Sequence, residues 1–132
     1  MTQGTALIVS ERERQIQLEG YTLEDDDHYL MGELSKAAAC YQAIGRGQFL
    51  GGQRTWWATS QGWVKSENDP EPRPKHEPRC MRRIVPGAWP WAPDSWKPSR
   101  DPVENYKKAG ALLAAEIDRI LRMRSRNTEP GF

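Results

Sequence analysis

The chain is short of net charge, of cysteine and of long apolar runs. Its 132 residues carry 19 Lys and Arg against 18 Asp and Glu, a formal net charge of +1. No global field therefore draws it to nucleic acid or to a membrane surface. No segment approaches the ~20 consecutive apolar residues of a membrane-spanning helix. The N-terminus offers only the apolar run 6–9, with no basic stretch ahead of it, and the expectation is that it bears no secretory signal. Two cysteines, Cys40 and Cys80, make no disulfide framework and point to a reducing, cytoplasmic setting. His76 and Cys80 have no second pair to complete a zinc site. Also missing are the phosphate loops Gly-x-x-x-x-Gly-Lys and Gly-x-Gly-x-x-Gly and the nucleophile elbow Gly-x-Ser-x-Gly.

What is present is tryptophan, with six in so short a chain. Each Trp is costly to leave in water, so each belongs to the core, to an interface or to a ligand platform. The charge, though balanced in sum, is segregated. Glu24, Asp25, Asp26, Asp27 and Glu33 form an acidic stretch, and Arg73, Lys75, Arg79, Arg82 and Arg83 a basic one. Local asymmetry of this kind steers an anion even when the total is near zero.

The length fits one domain over 1–132, and the patterning predicts a mainly α fold. Three principal helices are expected, over 5–19, 25–44 and 102–124. The first ends at Gly20 and has few apolar positions. The second starts on a capping-box-like Thr22 and Asp25, runs on an apolar stripe through Leu30, Leu34, Ala37, Ala38, Tyr41 and Ile44, and closes at Gly45 and Gly47. The third is capped by Asp101 with Pro102 in its first turn. Its seam of Val103, Tyr106, Gly110, Leu113, Ile117 and Ile120 suits another helix or a second subunit, so a homo-oligomer is expected. Between them lies a Trp- and Pro-rich insert, 45–100, with a minor β element. A hairpin is expected over 54–64 around Ser60, Gln61 and Gly62, a strand over 81–85 and an exposed loop over 66–79.

Four groups carry candidate chemistry. Asp26, Asp27, His28 and Glu33 form a donor set for Mg²⁺ or Mn²⁺; the same acids at a helix start are what the dipole alone favours. Trp89, Trp91 and Trp96 with Lys97 can stack a base and hold its phosphates, or can strap across the helices as core. Arg82 and Arg83 can receive phosphate, or serve as a charged strand edge. Lys107, beside Tyr106, can reach into a pocket, or face solvent.

Several of these segments together resemble a group of small phage and prophage proteins. They are Glu19-Gly20-Tyr21-Thr22, Asp26-Asp27-His28, Gly32-Glu33-Leu34, Trp89-Pro90-Trp91, Trp96-Lys97-Pro98 and Lys108-Ala109-Gly110-Ala111-Leu112, with Glu11-x-x-x-Gln15 ahead of them. The resemblance implies an accessory protein acting inside a bacterial cell. In looser outline the chain is similar to the all-α nucleoside triphosphate pyrophosphohydrolases, which hold Mg²⁺ on Glu-Glu-x-x-Glu and a later Glu-x-x-Asp. Here Gly32, Glu33 and Lys36 occupy the comparable helix, so that metal site is incomplete.

The leading expectation is a binder that sequesters a nucleotide-type small molecule, such as a signal of bacterial immunity, without a cofactor. Trp89, Trp91 or Trp96 would stack the base, Arg82, Arg83, Lys97 and Lys107 would take phosphates, and His28 and Glu33 would bond sugar or base. Two alternatives stand beside it: a Mg²⁺-dependent nucleotide hydrolase on Asp26, Asp27 and Glu33, and a protein-binding inhibitor of a host defence enzyme with the Trp-rich insert as its hot spot.

Overall fold

A computed structural model describes residues 1–18, 26–48, 53–59, 62–65 and 82–127. The elements run α1 (Gln3–Leu18), α2 (Glu33–Gly45), β1 (Gln53–Thr59), β2 (Gly62–Lys65), β3 (Arg82–Pro86), a 3₁₀ turn (Pro93–Ser95) and α3 (Pro102–Asn127). The fold is mainly helical, with three principal helices and a small sheet in the insert. The Gly20 stop, the Thr22–Asp25 cap, the loop 66–79, Cys80 and the Ser60–Gln61 turn lie outside the described residues.

α1 starts two residues earlier than its apolar pattern suggests, because the Thr2 hydroxyl accepts from the Thr5 N–H (3.3 Å) and caps the first turn. α2 starts later than expected, at Glu33 and not Asp25. Asp26 and Asp27 are helical, but the chain turns through 28–32, and Gly32 adopts a left-handed conformation (φ 80°) that breaks the helix. Leu30, which the spacing places on the apolar stripe, is accordingly exposed. At the other end Gly47 (φ 80°) closes α2 in a Schellman arrangement. Its N–H donates to Ile44 O (3.0 Å), and the Gln48 N–H to Ala43 O (2.8 Å). Gly45 serves packing instead, since a Cβ there would lie 2.9 Å from the Tyr106 ring.

α3 begins as its sequence dictates. The Asp101 carboxylate accepts from the Val103 N–H (3.0 Å). Asn105, fully buried, locks the approach, since its Oδ1 accepts from the Ser99 N–H and its Nδ2 donates to Ser99 O, both at 2.8 Å. α3 is the central helix and packs on both α1 and α2. Ala37, Ala38, Ala109, Ala111 and Ala115 are buried and small, which lets the backbones approach. Against α1 the approach is closer still: a Cβ on Gly110 would meet Ile8 Cδ1 at 2.7 Å.

The sheet is antiparallel in the order β2-β1-β3. Thr59 pairs with Gly62 and Trp57 with Val64 in the hairpin, and Arg54 pairs with Val85 on the other edge. β3 delivers buried Val85 to the core, and the segment after it crosses α2 as a tryptophan strap. Trp96 lies 4.6 Å from the Tyr41 ring and 4.8 Å from Trp89, centroid to centroid. Cys40 is buried in the same core; burial pushes its thiol up to about 11, so it packs as an apolar group.

Two carboxylates tether the turn before α2 to α1 and α3. Asp26 accepts from Arg12 of α1 (3.0 Å). Asp27 accepts from Arg122 and Arg126 of α3 (2.8 Å each), and their hydrogen bonds hold its carboxyl at about 2. Among the described residues no helix is long and apolar enough to cross a membrane.

Candidate ligand-binding site

The weak apolar pattern of α1 has a structural consequence: the face it buries is polar. Glu11 and Gln15, one turn apart, are each only 4% exposed. Arg14 reaches across the Glu11 carboxylate with Nε to Oε1 (2.9 Å) and Nη2 to Oε2 (2.7 Å), and Gln15 Nε2 donates to Oε2 (3.2 Å). Burial alone would raise the Glu11 pKa. The hydrogen bonds and charge of Arg14, the Gln15 bond and the charge of Lys108 together outweigh it, and the carboxyl sits below its ordinary range. It is therefore an ionised acceptor at neutral pH. Because Gln15 Nε2 faces that carboxylate, the amide orientation is fixed, and its Oε1 is left buried without a partner.

This polar face forms one wall of a cavity of about 300 Å³. Tyr41 of α2 and Trp89 and Trp91 of the strap form the aromatic wall, and Leu112 contributes from α3. Arg14, Lys97 and Lys108 bring three cations against the single carboxylate of Glu11. Lys108 Nζ donates to Lys97 O (2.6 Å) and stands 5.5 Å from the Tyr41 ring centroid. Tyr41 in turn accepts from the Lys97 N–H through its hydroxyl (3.2 Å), so the ring and both lysines are held as one unit. The Trp89 indole N–H donates to Ala92 O (3.1 Å), which fixes that ring, whereas the Trp91 Nε1 is buried without a partner. A buried polar group left unpaired costs about 1–3 kcal/mol. Two of the three such side-chain atoms among the described residues belong to residues lining this cavity.

Of the residues singled out from sequence, the fold brings Trp89, Trp91 and Lys97 together here. It does not bring the others. Trp96 is 1% exposed, with its ring against Tyr41 and Trp89, so it is core and not a free stacking face. Lys107 points away from the cavity and pairs with Glu104 (3.1 Å). His28 is exposed on the turn before α2. Glu33 accepts from the Met31 N–H (3.2 Å), a local bond at the helix start. Asp26 and Asp27 are engaged by arginines, and among the described residues no three His, Cys, Asp or Glu side chains gather as a metal site. The Arg82 and Arg83 side chains lie outside the described residues; their backbones pair with Trp57 and Trp56 in the sheet.

The site residues that sequence reasoning missed are Glu11, Arg14, Gln15, Tyr41 and Lys108. A signal for the first three was present: a 16-residue helix with few apolar positions must bury polar ones if it packs at all. No protein-family model, curated protein or solved structure matches the chain.

Proposed function

We propose that the chain binds a nucleotide-type small molecule in the cavity between α1, α2, α3 and the tryptophan strap, and holds it without converting it. The observation that carries this reading is one cavity with an aromatic wall of Trp89, Trp91 and Tyr41 beside Arg14, Lys97 and Lys108. Flat rings offer stacking to any base, and clustered cations match phosphate. Holding is favoured over conversion because the one carboxylate in the cavity, Glu11, is ionised and already accepts from Arg14 and Gln15, which makes it a poor proton carrier near neutrality. The resemblance to phage proteins makes nucleotide immune signals the ligands to try first.

The test is incubation of the protein with mononucleotides, cyclic dinucleotides and cyclic ADP-ribose isomers in the presence of Mg²⁺, followed by washing, denaturation and mass spectrometry. Intact ligand released on denaturation is the expected result; converted product in the wash overturns holding in favour of hydrolysis. The double variant Lys97→Ala/Lys108→Ala should bind roughly 100-fold more weakly, in line with loss of charge-assisted bonds. Unchanged affinity in that folded variant removes the cavity from the proposal.

We also infer that a second copy of the chain covers the outer face of α3. Val103, Tyr106, Leu113, Ile117 (57% exposed) and Leu121 (53%) lie on one side of the helix, Tyr106 with its ring also against Gly45 of α2. Val103, Ile117 and Leu121 are each more than half exposed, and contiguous apolar patches of about a few hundred Å² mark protein–protein contacts. Charge does not oppose self-association: the net charge is +1, and neighbouring Lys107 and Arg119 pair within the chain with Glu104 and Glu116. Sedimentation should show a dimer, and Ile117→Asp should return a folded monomer. A wild-type monomer at 100-µM-scale concentration, well above ordinary dimer dissociation constants, sinks the inference.

A further inference from the structure

A second cavity of about 270 Å³ adjoins the first. The two share Trp91, Ser95 and Leu112, so the Trp91 indole stands between them. Their characters differ. The first has the cations. The second is largely apolar, walled by Tyr29, Leu34 and Leu112, and its acid, Asp26, is already in an ion pair with Arg12.

Trp91 is suited to a partition that adjusts. It lies on a stretch with neither helix nor strand, and it is half-buried. Ring contacts flank it, with Tyr29 at 5.2 Å on one side and Trp89 at 5.3 Å on the other, while its Nε1 has no hydrogen-bond partner. Trp89, by contrast, is tied to Ala92. Neither cavity alone clears the lower end of the ~300–1,000 Å³ that ordinary ligand sites occupy, and jointly they fall well inside it.

Resting on the reading above, we propose that the ligand has two planar rings joined through phosphate, a dinucleotide rather than a mononucleotide. One ring and the phosphates occupy the first cavity. The second ring lies in the apolar cavity, beside the Tyr29–Trp91 ring pair and against Leu34 and Leu112, and a ligand acceptor meets the Trp91 N–H. Stacking contributes on the order of 1–3 kcal/mol per base, so the second ring should strengthen binding by about tenfold or more.

The experiment is calorimetric titration with linear and cyclic dinucleotides and with the matching mononucleotides, for the four common bases. Wild type should prefer a dinucleotide by at least about tenfold. Ala92→Trp, at an exposed position that borders only the second cavity, should abolish the preference and leave mononucleotide affinity unchanged; Tyr29→Leu should reduce the preference in the same way. Equal affinity of wild type for both ligand classes, or equal loss of both in the folded Ala92→Trp protein, overturns the two-ring assignment while leaving the nucleotide reading intact. Binding of neither class overturns the nucleotide reading itself, and this inference with it.

Discussion

Trp96→Ala is expected to lower the unfolding free energy by about 3–5 kcal/mol, a large share of the stability of a domain this size. Trp96 is 1% exposed and contacts the Tyr41 and Trp89 rings. Its removal deletes the transfer energy of an indole and leaves a void between the strap and α2 that the rigid helix cannot close. Trp91→Ala should behave differently. That indole is half-buried, borders two open cavities and carries an unpaired buried Nε1 whose removal offsets part of the lost burial, so its loss should cost about 1–2 kcal/mol of stability while weakening ligand retention. Urea unfolding of the two variants separates the roles. A Trp96→Ala protein within about 1 kcal/mol of wild type would mean that the strap does not hold the core.

The same pair of residues shows how far the sequence could be read. Trp91 and Trp96 look alike in sequence: each lies in the same Pro-rich segment with a proline within two residues. Only the turn at Pro93–Ser95 sends one ring into the core and leaves the other beside a cavity. Lys107 and Lys108 make the point more sharply. A residue advances about 100° around a helix, so the choice between neighbours depends on which face of α3 meets α1 and α2. Periodicity located a seam through Tyr106 and placed Lys107 beside it. Much of that seam, Val103, Leu113 and Ile117, is exposed, while Tyr106 backs onto Gly45 and Gly110 onto Ile8; Lys108, one residue further round the helix, reaches Lys97 and Tyr41.

The elements themselves were legible where local chemistry is decisive. Asp101 and Pro102 set the start of α3, and Gly47 set the end of α2. The start of α2 was not legible, because the acid run 25–27 and the apolar Leu30 continue a helical pattern through a turn that Gly32 and two tertiary ion pairs impose. Glu11 was only half legible: Arg14 and Gln15, which hold its carboxylate, lie within a turn of it on α1, but the further cation Lys108 comes from α3, far along the chain, and no local pattern reports it.

Asp26 separates the binder from the hydrolase most directly. As a metal ligand it would be solvated and its loss would spare the fold. In the structure it is 3% exposed and bonded to Arg12, which is itself largely enclosed and has an unpartnered Nε. Removing one member of such a pair leaves an uncompensated buried charge, at a cost of about 3–5 kcal/mol. Asp26→Leu should therefore be strongly destabilised, Arg12→Met comparably so, and the double variant Arg12→Met/Asp26→Leu should recover much of the loss. Millimolar Mg²⁺ should leave the wild-type melting temperature unchanged. A metal bound through Asp26 would instead raise it with concentration, because any ligand that prefers the native state stabilises it by mass action. A stable Asp26→Leu protein that has lost a Mg²⁺-dependent thermal shift would overturn the ion-pair assignment and restore the acidic turn as a metal site.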